Sequence, residues 1–150
     1  NDLLLQARLI KQSLDIHALK TLSGSSSDIE KAEYEKLKEQ FITFRETNPK
    51  CRFLYLLGRK TDPVVSGKTG GQVFIYLDSE RIGSEDYSPP GEVYDEMPAE
   101  EVRIFETKTA AVTGPSSDRW GAWVSALVPI TDPATGALLA VLGMDVDART

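Results

Sequence analysis

Cysteine is almost missing from this chain: Cys51 stands alone among 150 residues, so no intramolecular disulfide closes and no CxxC or Cys/His spacing is there to build a zinc site. The redox compartment stays open on this count. Histidine is as scarce. The single His17 falls on a predicted helix among apolar neighbours, and without a second histidine nothing supports a Ser-His-Asp or Cys-His nucleophile. Positive charge is short as well, with 17 basic against 23 acidic residues and a formal net charge of −6. No basic stripe with interleaved aromatics supplies the phosphate-neutralising charge that nucleic-acid binding needs. No apolar run approaches the ~18–20 residues of a membrane span, and NDLLLQARLIKQ lacks the n-region and cleavage site of a signal peptide. GKTGG at 67–71 is followed by a strand pattern rather than a helix and lacks the Walker spacing, so it reads as hairpin loop. Asp78 with Asp145-Val146-Asp147 falls short of the ligand count a hard cation takes. Neither a metal nor a cofactor is expected.

What is present is enough apolar material, 41% of residues, for one compact domain over 1–150. Leu3, Ala7, Ile10, Leu14 and Ala18 recur at helical spacing, with Leu5, Leu9, Ile16 and Leu19 widening the apolar face, which predicts one helix as far as the SGSSS run at 23–27. Ser27 and Glu30 have capping-box spacing for a second helix carrying Tyr34, Leu37, Phe41 and Phe44, which Asn48-Pro49 ends. From residue 49 the period changes to that of strands. CRFLYLLGR (51–59) and GQVFIYLDS (71–79) form one predicted hairpin, and GAWVSALVPI (121–130) and ALLAVLGMDVD (137–147), joined by TDPATG, form another. Between them lie an aperiodic loop at 79–98, a short helix from Pro98 with Val102 and Phe105 inward, and a short strand near Ala111–Thr113. The order predicts an α+β fold, an antiparallel sheet backed by helices. A helical pattern already running at Leu3 and a strand stopping at 147–150 suggest a piece of a longer protein.

Alternation along a strand separates its two faces. Phe74, Tyr76 and Asp78 fall on one row, as do Trp123, Ser125 and Leu127, and Val141, Gly143 and Asp145. If these mixed rows share a side, Tyr55, Tyr76, Asp78, Trp123, Ser125 and Asp145 line a small-molecule cavity beneath the 79–98 loop. Tyr87 and Tyr94 in that loop either close the cavity as a lid or pin the loop down. Trp120 and Arg119 stand where the 121–130 strand begins. Either the indole closes the cavity edge while the guanidinium meets an anion or Asp86, or Arg119 pairs with a loop carboxylate and Trp120 packs the loop.

The segments FIYLDSE, GSEDYSPPGEVY, GPSSDRWGAWVSALVPI and DPATGALLAVLGMDVDA, in this order after two helices, resemble the extracytoplasmic sensor domains of bacterial membrane receptors with the PAS-like Cache fold, over about residues 50–148. The resemblance implies a five-stranded antiparallel sheet, with the N-terminal helices (1–48) on one face of a PAS-like core (49–150) and the loop-and-helix segment covering a ligand cavity on the other. It implies a periplasmic, membrane-anchored setting upstream of a histidine kinase, diguanylate cyclase or chemotaxis signalling region. A homodimer through the N-terminal helix is also implied, in keeping with its broad leucine face. The function expected is small-molecule sensing without catalysis. The alternative is a ligand-free dimerisation or protein-interaction module.

Overall fold

A computed structural model describes residues 2–60, 71–119 and 121–148, with the backbone alone of Ser116 and Asp118. Residues 61–70, which hold most of the glycine-rich connection, and Trp120 lie outside the described residues.

The N-terminal apolar period is carried by two helices rather than one, α1 (Asp2–Ser13) and α2 (Ile16–Lys20). The chain breaks where Asp15 turns extended and its carboxylate accepts from Ala18 N–H at 3.2 Å, capping α2. Leu14 and Ala18 are nonetheless both buried, so the hydrophobic period runs straight through a break set by a polar cap. The expected Ser27/Glu30 box is a 3₁₀ turn at Ser26–Glu30, and α3 begins after it (Ala32–Thr47). That turn is organised by Asp28. Its carboxylate is fully buried, accepts from the amides of Ser23 and Gly24 and from Ser23 Oγ, and pairs with Lys31. Gly24 is held at φ +76, and a Cβ there would meet the Phe74 ring at 2.5 Å. Asn48 ends α3 as expected, its Nδ2 donating to Phe44 O at 2.7 Å.

The strands are β1 (Cys51–Lys60), β2 (Gln72–Asp78), β3 (Glu92–Val93), β4 (Ala111–Asp118), β5 (Gly121–Thr131) and β6 (Leu138–Asp147), in the sheet order β3-β2-β1-β6-β5-β4 with antiparallel neighbours. The five expected strands are the five long ones. The sixth, β3, is two residues of the 79–98 loop that pair with Phe74 and Ile75. The TDPATG turn between β5 and β6 is tied by Asp132, whose N–H donates to Ala137 O and whose carboxylate accepts from Ala134 N–H.

One face of the sheet carries α1 and α3: Leu54, Leu56, Leu77, Ala126, Val128, Ile130, Ala140, Leu142 and Met144 pack there with Ala7, Ile10, Tyr34, Leu37 and Phe41. The opposite face carries Leu57, Val73, Ile75, Leu127 and Val141, covered by Met97 and by Ile104 and Phe105. The last two belong to a pair of single-turn helices, α4 (Ala99–Val102) and α5 (Ile104–Thr107). Val102 was expected to point inward. It is half-buried, and Glu101 is the buried residue of α4.

Candidate functional site

The site lies on the second face, under the 79–98 loop, and register explains which side chains reach it. In β1 and β2, Tyr55 pairs with Asp78 and Leu56 with Leu77, but Leu57 pairs with Ile75. Tyr76 is therefore an extra residue, a β-bulge that reverses the alternation beyond it. Phe74 and Tyr76 consequently lie on the helix face, ring centroids 4.8 Å apart, where both close on Gly58 and Gly24. Asp78 lies on the cavity face. The expected row Phe74, Tyr76, Asp78 is split, and Tyr76 does not line the cavity. The rows of β5 and β6 are placed as expected, with Trp123, Ser125 and Asp145 toward the cavity.

Asp145 is the centre of the arrangement. Its Oδ1 accepts from Tyr55 Oη at 2.7 Å and from Ser125 Oγ at 2.8 Å, the serine standing directly across the β5–β6 pair. Tyr55 reaches it by crossing Gly143: a Cβ on that glycine would lie 2.1 Å from Tyr55 Cε2. Asp145 is 3% exposed. Burial and the neighbouring Asp145 push the Tyr55 phenol well above its ordinary pKa, so it stays a neutral donor.

Two lobes adjoin at Asp145. The first, about 40 Å³, is lined by Phe53, Tyr55, Leu57, Ile75, Asp78, Asp86, Ser88, Tyr94 and Asp145, and is mostly apolar. The second, about 10 Å³ and mostly polar, shares Tyr55, Leu57, Tyr94 and Asp145 and adds Glu96, Met97, Pro98, Glu101, Ser117, Trp123, Ser125 and Leu127. Tyr55 and Tyr94, edge to face at 6.4 Å, stand between them, and Trp123 packs edge-on against Phe53 at 5.0 Å.

Asp78 is held by structure rather than left open to a ligand. Lys38, on the buried stripe of α3, donates from Nζ to Asp78 Oδ1, Asp78 O and Glu80 O, each at 2.8 Å. The amides of Glu80 and Ser88 donate to the same carboxylate. Burial raises the pKa of Asp78 and lowers that of Lys38, with their mutual attraction opposing both shifts. Tyr87 belongs to this cluster and not to the cavity: its ring lies 4.7 Å from Lys38 Nζ and its hydroxyl 3.4 Å from that of Tyr34. Asp86 pairs with Arg52 at 2.7 Å, and Arg52 also reaches Glu80. Arg119 meets the Glu96 carboxylate through its backbone N–H and Nε, not Asp86. Of the two expectations for Arg119, the loop-carboxylate pairing is the observed one. Trp120 lies outside the described residues.

Of the ten expected site residues, six line the lobes: Tyr55, Asp78, Tyr94, Trp123, Ser125 and Asp145. Sequence reasoning missed Phe53, Leu57, Ile75, Ser88, Lys38 and Glu101. Phe53 and Leu57 share the alternation of Tyr55, Lys38 sits at i+4 from Tyr34, and Glu101 is in helical phase with Ile104 and Phe105, so a signal existed for these four; Ile75 is set on the cavity face by the bulge and Ser88 by the path of the loop, which carry no such signal.

No family model and no curated protein matches the chain. Among solved structures it is similar to the sensory domain of the Campylobacter jejuni chemoreceptor Tlp3 (TM-score 0.55, 16% identity, 97% of this chain and 52% of that one). It is also similar to that receptor's ligand-binding domain in complex with L-valine (TM-score 0.53, 15% identity, 97% and 51%) and to its sensory domain with isoleucine bound (TM-score 0.53, 15% identity, 97% and 51%). The chain spans about half the length of these structures. At this identity the likeness is one of fold.

Proposed function

We propose that this chain is the extracytoplasmic small-molecule-sensing domain of a bacterial membrane receptor, with the PAS-like Cache fold and a histidine kinase as its output. The observation that carries the reading is the roofed cavity: aromatic walls, a buried Asp145 oriented by two hydroxyl donors, and a loop tied to α3 through Lys38 and Asp78. The Tlp3 structures are described with L-valine and isoleucine bound, which makes molecules of amino-acid size the first probes. In this reading the domain binds its ligand without turning it over, and the receptor dimerises through α1, whose Leu5 and Leu9 are both more than half exposed.

The test is a thermal-shift screen of the chain against amino acids, amines, small carboxylates and nucleobases. A ligand bound only by the folded state stabilises it by about 2.7 kcal/mol at a hundredfold excess over its Kd. A shift abolished by Trp123→Ala supports the site. The kinase output is tested in the intact receptor, where that ligand should change autophosphorylation.

A second reading, a protein-interaction module without a ligand, is favoured by one observation: the main lobe measures about 40 Å³, against roughly 300–1,000 Å³ for ordinary ligand sites. A panel that leaves the melting point unmoved would make that reading the better one. For the sensor, the same volume means that binding must displace the 79–98 loop or the Tyr94 ring.

A further inference from the structure

The roof over the lobes is fastened unevenly. At its root, Ser79 N–H donates to Leu54 O at 2.8 Å, and Lys38 commits its three protons to oxygens of residues 78 and 80. Ser88 N–H donates to the buried Asp78 carboxylate at 2.8 Å. Farther along, the amides of Gly91 and Tyr94 donate to Ile75 O and Val73 O of β2, at 2.8 and 2.9 Å. After Tyr94 these ties stop. Among the described residues, Asp95, Glu96 and Met97 have one hydrogen-bonding partner, Arg119, which holds the Glu96 carboxylate through its backbone N–H and Nε. That pair is open to water, with 45% of the Arg119 side chain and 26% of the Glu96 side chain exposed, against 5% for Lys38. An ion pair in water contributes little and is screened by salt, whereas a buried one is costly to break.

The weakly held segment is also a shared wall. Tyr94 lines both lobes and Met97 lines the second, and the same two side chains line a groove outside, between the start of β2 and the α4–α5 pair, together with Val73, Val102 and Arg103. The groove measures about 420 Å³, within the roughly 300–1,000 Å³ of ordinary ligand sites. The Tyr94 backbone is fixed to β2, so what can yield there is its ring and the residues that follow it.

We infer that the site is entered through residues 94–98: Glu96 leaves Arg119, the Tyr94 and Met97 side chains turn toward the groove, and the lobes open into it, while the backbone up to Tyr94 keeps its ties. This rests on the sensor reading and names the part of the roof that yields to a ligand.

A thiol placed inside reads the entrance without any ligand. Ser125→Cys puts one in the second lobe, and iodoacetamide on the whole chain, followed by peptide mass spectrometry, gives its labelling rate. Cys51 is the internal monitor: it is buried in the core of the helix face and burial pushes its thiol up to about 12, so it labels only when the fold as a whole opens. With labelling at Cys51 unchanged, Glu96→Gln should speed labelling at position 125 by about two- to fivefold, the range one exposed pair supplies. About 0.5 M NaCl should speed it similarly in Ser125→Cys alone and add nothing further once Glu96→Gln is present. Asp86→Asn, which frees the loop from Arg52 nearer its root, should have the smaller effect. A rate indifferent to Glu96→Gln overturns the inference. A larger effect of Asp86→Asn overturns it too, since the entrance then lies at 81–88. If Ser125→Cys disturbs the fold, seen as faster labelling at Cys51, Ser88→Cys reads the same opening from the first lobe. Each of these failures leaves the sensor reading standing, because that reading falls only with silence of the ligand screen.

Discussion

The two faces of the sheet are built from the same five long strands and have opposite characters. On the helix face, Leu54, Leu56, Leu77, Ala126, Ile130, Leu142 and Met144 are completely buried, the dense packing of a core that tolerates no gap. On the other face the same strands present Tyr55, Asp78, Trp123, Ser125 and Asp145, with two small lobes among them. A face that only had to be covered would be filled with aliphatic side chains. Buried carboxylates cost stability there unless donors hold them, as Lys38 holds Asp78 and the hydroxyls of Tyr55 and Ser125 hold Asp145.

Substitutions can break this contrast or sharpen it. The largest effect is expected at the joint between the faces. Lys38→Ala leaves the Asp78 carboxylate buried without its cation and should cost about 3–5 kcal/mol, read as a lower urea midpoint. On the helix face alone, Leu142→Ala should cost about 2–5 kcal/mol while the Kd of any bound ligand holds, which separates core from site. Gly143→Ala acts across the divide. Its Cβ would stand 2.1 Å from Tyr55 Cε2, so the ring must move off Asp145. A loss of about 1–3 kcal/mol should accompany loss of ligand binding. The smallest effect has the opposite sign. Because the Glu101 pKa is raised in the folded state, its ionisation opposes folding: the difference is absent below the ordinary glutamate value of 4.5 and grows as pH rises through the folded value. Glu101→Gln should therefore melt higher by the equivalent of about 1 kcal/mol or less at pH 7, with no gain at pH 4. A gain that persists at pH 4 would break the assignment.

The sequence made one half of this contrast legible more readily than the other. From Trp123 to Ile130 in β5 and from Ala140 to Asp147 in β6 the pairing runs without a register shift, so Trp123, Ser125 and Asp145 could be assigned to one side by counting in twos. In β2 the same counting fails at Tyr76, because a bulge depends on the register of two paired strands and leaves no mark in either alone. The α1–α2 break at Asp15 was hidden by Leu14 and Ala18, which keep the helical period on both sides of it. Partners were the least legible: Arg119 had several carboxylates within sequence reach, and only the path of the loop selects Glu96 over Asp86. Lys38 was passed over because a lysine on a helix reads as solvated. It is buried because three oxygens, from residues 78 and 80, receive its three protons.

That last arrangement has a mechanical consequence. An ammonium whose protons are all committed cannot turn to follow one acceptor without abandoning another, so α3 and the root of the 79–98 loop are coupled like a crank and its shaft. A loop lifted by whatever occupies the lobes must either drag α3 along or break a buried hydrogen bond. The first course turns a shift of the loop into a tilt of a sixteen-residue rod on the opposite side of the sheet.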